Sequence, residues 1–234
     1  MKAEIRVPFF ETSIKNYIFG NAVMAYAKAA DAAAKEYDID VIFVAPYTDI
    51  RWISENTDRI MVFAPYMDVL RPGRGIADVL PEALKAAGAE GVVLNHSERP
   101  MTLNALNKTI ERADELEMIS FVCAGSTSEA QAIAHLHPDI LNPEPEDLIG
   151  SGKVSDMSFV KEVIGAIKAV DPRIFVEQAA GITTAQQVYD FIMAGSEAAG
   201  ASSGILSAAE PLSLLNEMVG SVRKAKDELA RQNR

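Results

Sequence analysis

Short apolar runs alternate along this chain with longer stretches in which apolar side chains return every third or fourth position. The runs carry many β-branched and aromatic residues, which suit a buried pleated surface. The longer stretches have the period of a helix with one buried face. The runs predict strands at 5–10, 41–45, 60–64, 91–94, 119–123, 139–142, 174–177 and 198–201. The last, Ala-Ala-Gly-Ala, has little strand propensity and rests on the rhythm of the others. Between them, an Ala-rich stretch at 16–36 predicts a helix. In 97–117, Leu103, Leu106, Ile110, Ala113 and Leu116 form one stripe, and Leu215, Val219 and Val222 repeat it near the end. Thr184 with Gln187 three residues later predicts a capping box at another helix start.

Strands that alternate with helices, without a hairpin signal, imply a parallel sheet. Such a sheet can stay open or close into a barrel. An open sheet gathers its site at one switch point, commonly with Gly-x-Gly-x-x-Gly after the first strand. Here the first strand leads into Glu11-Thr12-Ser13-Ile14-Lys15, and polar residues follow several strands. The expected architecture is an α/β fold, a (β/α)8 barrel formed as one domain over 1–234.

Composition narrows the partners. About half of the 234 residues are apolar, enough for one sizeable core. No apolar run approaches the ~18 residues of a membrane span, and the charged start lacks the apolar centre of a signal peptide. One cysteine, Cys123, cannot form an internal disulfide, which fits a cytoplasmic protein. A formal net charge of −11 speaks against nucleic acid or an anionic membrane as partner. An anionic substrate would then need a locally positive site.

Three polar groups stand where predicted strands end: Lys15, His96 and Glu144. A fixed positive charge, an electrophile and a carbon-acid base are what a proton-shuttling isomerase needs. Gly150-Ser151-Gly152 after the glutamate suits a mobile lid that approaches a phosphate. His135 and His137 read as structural, without Cys or carboxylate neighbours at metal spacing, and no metal or cofactor is expected. Cys123 reads as a buried thiol beside the site, without the bases that activate a nucleophile.

Leu94-Asn95-His96-Ser97-Glu98-Arg99 resembles the histidine signature of the triosephosphate isomerase family. Glu144-Pro145 with Leu148-Ile149-Gly150-Ser151-Gly152 resembles its catalytic glutamate and flexible sixth loop. Val79-Leu80-Pro81-Glu82-Ala83, Val122-Cys123, Ala180-Gly181-Ile182-Thr183 and Ser202-Ser203-Gly204 fall in the family's order. The compact length and the form of loop seven look most like its shorter, archaeal-type branch.

The resemblance implies Glu144 as base, His96 as neutral electrophile and Lys15 as the countercharge to enediolate and phosphate. It implies phosphate binding at Gly150, Ser151, Gly181, Thr183, Ser202, Ser203 and Gly204, with Ser13 beside the substrate. Glu98 would pair with Lys15 and, with Cys123, support the site. A helix expected from Ser97 would help keep His96 neutral.

Three positions depart from the family's pattern. Ser13 stands for an asparagine, Pro65 for a glutamine and Ile76-Ala77 for Thr-Gly, positions that in the family make a polar join with a neighbouring subunit's third loop. The implied function is isomerisation of dihydroxyacetone phosphate and glyceraldehyde 3-phosphate by a cytoplasmic homodimer or homotetramer. A tetrulose phosphate isomerase, or a barrel that only binds phosphometabolites, is the alternative.

Overall fold

The computed structural model describes residues 2–232. The expected domain span reaches past these at Met1, Asn233 and Arg234, which lie outside the described residues. Eight parallel strands close into a barrel in sequence order: β1 (Phe9–Ser13), β2 (Val41–Val44), β3 (Ile60–Ala64), β4 (Gly91–Leu94), β5 (Ile119–Ala124), β6 (Ile140–Pro143), β7 (Phe175–Gln178) and β8 (Ala198–Ala201). Closure is made by β1 against β8, where Glu11 stands opposite Gly200. Each strand is followed by helix, from α1 (Asn21–Tyr37), α2 (Ile50–Asn56) and α3 (Pro81–Ala86) through α4 (Leu103–Glu115), α5 (Thr127–Ala134) and α6 (Met157–Val170) to α7 (Ala185–Met193), α8 (Ser203–Leu206) and α9 (Pro211–Gln232).

Alternate strand residues fill the two core layers. Phe9, Ile42, Phe63, Phe121 and Ile140 pack inside the barrel, while Phe10, Val41, Val62 and Val122 face the helices. The predicted stripe is buried at Leu106, Ile110 and Ala113, as are Leu215, Val219 and Val222 of α9. Truncating one of these leucines to alanine would cost about 2–5 kcal/mol. The capping box forms as expected, with Thr184 Oγ1 accepting from the Gln187 N–H. β8, weak in propensity, holds because it is paired on both sides. Among the described residues no helix is long and apolar enough to cross a membrane.

Three elements differ from the sequence pattern by more than one residue. The first strand is not 5–10 but Phe9–Ser13. Pro8 has no N–H to give a ladder, so pairing begins with Phe9 N–H to the Glu197 carbonyl at 3.1 Å. Glu11 and Thr12 looked like loop because they are polar, yet both are buried strand residues. Thr12 Oγ1 lies 2.8 Å from the Tyr26 hydroxyl and donates to the Ala201 carbonyl at 3.0 Å. The first helix starts at Asn21 because Gly20, at φ 63°, turns the chain beforehand. The third concerns 97–117. Its helix begins only at Leu103, capped by Thr102, because Pro100 breaks the run and Asn95 Oδ1 holds the Met101 N–H at 2.9 Å.

The two histidines read as structural sit apart from the barrel mouth. His137 Nδ1 lies 2.7 Å from Asp171 Oδ2, and His135 ends α5.

Candidate active site at the barrel mouth

The C-terminal ends of the strands open onto a cavity of about 670 Å³. In barrels of this kind that face carries the chemistry, because loops from several strands converge there. Lys15, His96 and Glu144 all line it.

Lys15 follows β1 with φ 42°, a left-handed conformation that costs a lysine of order 1–3 kcal/mol and is tolerated where the surroundings fix it. Its N–H lies 3.3 Å from Ser13 Oγ, and its ammonium is 3.1 Å from Glu98 Oε1, the pairing expected from the sequence. His96 follows Asn95, another left-handed residue at φ 55°. The Asn95 amide donates to the Cys123 carbonyl and to Glu129 Oε1, each at 3.0 Å, and its oxygen holds the Met101 N–H. This bracing ties the end of β4 to β5 and fixes where His96 starts. Glu144 continues β6, its N–H bonded to the Ala124 carbonyl at 2.7 Å.

The geometry sets the protonation of His96. The Glu98 N–H donates to Nδ1 at 3.1 Å, so the proton of the neutral ring sits on Nε2. Nε2 lies 3.8 Å from Glu144 Oε2, too far for a hydrogen bond, which leaves both groups free to face a substrate. Burial first, and then Lys15, push the His96 pKa below its usual value, with Glu98 opposing. The helix dipole plays no part in this, since α4 begins at Leu103 and not beside the histidine. Burial raises the Glu144 carboxyl above the ordinary range, Lys15 opposing and Glu98 adding to the rise.

Gly150, Gly181, Ser202, Ser203 and Gly204 line the same cavity. Ser203 and Gly204 begin α8, where the first backbone N–H groups have no acceptor within the helix. Gly181 has φ 70°, and a Cβ there would collide with the Lys153 carbonyl. Only glycine lets the seventh loop lie this close to 145–153. That segment contains a single 3-10 turn, Glu146–Leu148, and ends in Gly150 and Gly152 at φ 68° and 72°.

Two expected phosphate ligands are not brought in. Ser151 Oγ donates to the Leu148 carbonyl at 2.8 Å, and the Thr183 N–H is taken by Gln187 Oε1 at 2.8 Å as part of the capping of α7. Neither residue lines the cavity. Ser13 and Cys123 do. Burial, with Glu144, Glu177 and Glu11 nearby, pushes the Cys123 thiol well up, so it stays protonated and non-nucleophilic.

The departing positions sort differently from the family's join. Pro65 and Ala77 line this chain's own cavity, while Ile76 is 95% exposed. The sequence reading missed Arg99, which lines the cavity and stacks over Tyr66, 4.5 Å from the ring centroid. It also missed Glu11 and Asn142, which reach the cavity from inside the barrel. Strand alternation was the available signal, because Glu11 shares the inward parity of Phe9 and Asn142 that of Ile140. Among the described residues no group of three or more His, Cys, Asp or Glu is arranged to hold a metal.

A family model for triosephosphate isomerase matches residues 10–187, from β1 into α7. The chain belongs to the triosephosphate isomerase family. It is 32% identical over 203 residues to the triosephosphate isomerase of Methanothermus fervidus, covering 86% of this chain and 91% of that one. It is 33% identical over 218 residues to that of Methanoculleus marisnigri, covering 91% and 97%. A similar match, 33% over 211 residues, joins it to the triosephosphate isomerase of Sulfolobus acidocaldarius. These family members are archaeal, as the compact length and the form of loop seven implied. The family match stops at 187, short of β8. The barrel nevertheless carries Ser202, Ser203 and Gly204 to the mouth.

Proposed function

We propose that the protein is a triosephosphate isomerase, interconverting dihydroxyacetone phosphate and glyceraldehyde 3-phosphate through an enediolate. The observation that carries this is the apposition of Glu144 and His96 at 3.8 Å, beside Lys15, in one cavity fed by three different strands. A barrel that merely bound phosphometabolites would have no use for a buried carboxylate facing an electrophilic imidazole.

Glu144 removes a proton from the carbon next to the carbonyl and returns it to the neighbouring carbon. His96, neutral, donates from Nε2 to the carbonyl oxygen as charge develops, and then moves the proton between the two oxygens. This is the division of labour known for the family. The Lys15 ammonium offsets the enediolate and phosphate charges, an attraction that strengthens as water leaves the site. On the phosphate side, the N–H groups of Gly150, Ser203 and Gly204 and the Ser202 hydroxyl take the phosphoryl oxygens. Segment 145–153 closes over them, which protects a reactive enediolate phosphate from water.

The reading extends to a cytoplasmic protein that self-associates as a homodimer or homotetramer. Phe19, 87% exposed, and Ile76 give it apolar surface for that. Sedimentation should show the oligomer at micromolar concentration. The activity is tested by a coupled assay on both triose phosphates, where absence of turnover with folded protein refutes the assignment.

A further inference from the structure

The barrel interior beneath the catalytic residues is not apolar throughout. Glu11 of β1 and Glu177 of β7 both point inward, and Gly200 of β8 stands between them. A Cβ at 200 would collide with Glu177 Oε1 and with Glu11 Oε2. The absent side chain is the space in which the two carboxyl groups meet. Glu177 is 0% exposed and neither of its oxygens has a hydrogen-bond partner. Glu11 is also buried, yet it reaches the wall of the active-site cavity.

Two carboxylates this close and this dry cannot both ionise. Burial, with Glu144 adding and Lys15 opposing, pushes Glu11 up to about 8, and burial with Glu11 and Glu144 also raises Glu177 well above the ordinary carboxyl range. The pair therefore holds a proton near neutrality and can both donate and accept. An independent group lines the same cavity as Glu11. Asn142 of β6 is 3% exposed, lines the cavity, and has its Oδ1 unpartnered. A fold that sought only stability would fill these positions with leucine, because a buried polar group without a partner costs free energy. Such groups are retained where a ligand supplies the missing partner.

We infer that Glu11 and Asn142 form a hydrogen-bonding subsite at the cavity floor for an additional hydroxyl-bearing carbon, so that the enzyme also isomerises four-carbon aldose and ketose phosphates. This rests on the isomerase reading above and names a second substrate class for the same site. Glu177 is a positioning residue: it acts through Glu11, its neighbouring carboxyl disfavouring ionisation of that pair. The chemistry is unchanged. Glu144 breaks the C–H bond next to the carbonyl and the proton returns to the adjacent carbon. A hydroxyl proton passes between the two oxygens, and no atom or electron is gained or lost. The cavity, about 670 Å³, lies within the usual range for small-ligand sites, and its lining includes Gly150, Ser203, His96 and Glu11. Recognition by hydroxyl contacts also discriminates better than extra room alone.

The test compares glyceraldehyde 3-phosphate with erythrose 4-phosphate and erythrulose 4-phosphate in the wild type, Glu11→Leu, Glu11→Gln and Glu177→Gln. The wild type should isomerise the four-carbon phosphates with kcat/KM no more than about tenfold below the triose. Glu11→Leu should lower the tetrose-to-triose ratio by about tenfold or more, mainly through KM, with partial rescue in Glu11→Gln. Glu177→Gln should move the ratio in the same direction. Thermal stability of Glu11→Leu should hold or rise. Non-reacting probes give a second measurement on the wild type alone: erythritol 4-phosphate should bind more tightly than glycerol 3-phosphate. Triose turnover without tetrose turnover overturns the inference and leaves the triose reading standing. So does a ratio that Glu11→Leu does not move, or parallel loss on both substrates with a fall in stability. Absence of turnover on every substrate overturns both.

Discussion

Replacing Glu144 by glutamine tests the assigned base at one atom. The amide has nearly the same shape, and the position is closed, with its side chain only 11% exposed. Its backbone bond to Ala124 does not involve the carboxyl and is kept. What is lost is basicity. A positioned general base contributes about 10²–10⁴ in rate, or about 2.7–5.4 kcal/mol at 1.36 kcal/mol per tenfold. The variant should therefore lose at least a hundredfold in kcat, on the order of the lower bound of that range. Phosphate affinity should survive, since the backbone groups that Gly150, Gly181, Ser203 and Gly204 bring to the cavity do not depend on the Glu144 carboxyl. Three measurements decide the matter. A coupled assay gives kcat, competitive inhibition by glycerol 3-phosphate reports binding, and deuterium exchange into dihydroxyacetone phosphate reports proton abstraction. Exchange and turnover should fall together while the inhibition constant stays within about threefold. Because burial has already raised this carboxyl, the amide should not lower the melting temperature. Turnover within about tenfold of wild type would falsify the base assignment.

Other outcomes follow from the same geometry. His96 should be less than half protonated at pH 6.5 by NMR titration, and Lys15→Met should raise its pKa while lowering kcat/KM by about 10²–10³; a normal imidazole titration refutes the neutral-electrophile role. Glu11 is raised in the fold, so its contribution to stability is fully present below the unfolded carboxyl pKa. It is lost as pH rises towards about 8. Melting temperature should therefore decline less steeply between about pH 5 and 8 in Glu11→Gln than in wild type, and equal slopes would count against the buried pair. Gly181→Ala combines a strained φ of 70° with a clash against the Lys153 carbonyl. It should destabilise by about 1–3 kcal/mol and raise KM more than it lowers kcat, as measured by melting and steady-state kinetics.

Most of the barrel was legible because its signal is local. Strands 60–64, 91–94 and 198–201 coincide with the apolar runs that announced them, and the capping box of α7 needs only two residues. The first strand was misplaced because apolarity was taken as the mark of a strand, while β1 ends in Glu-Thr-Ser, of which Glu11 and Ser13 line the cavity and Thr12 bonds Tyr26. The convergence of Lys15, His96 and Glu144 on one cavity was legible because each stands at a strand end, which a one-dimensional pattern can show. The floor pair was not. Glu11 and Glu177 lie 166 positions apart in the chain, and only barrel closure across Gly200 makes them neighbours. Thr183 failed for a related reason, since its N–H serves the same cap that made the helix readable.

Closure by β1 against β8 also governs when the protein can become an enzyme during its synthesis. Phe9 waits for Glu197, and Glu11 for Gly200, before the first strand has both neighbours. At about 5–20 residues per second, those partners emerge some 10–40 s after β1. Throughout that interval the sheet has two unpaired edges, which recruit other strands readily. A chain cut short before β8 is thus not a smaller isomerase but an open sheet prone to aggregation, so quality control of its last forty residues bears on the whole molecule.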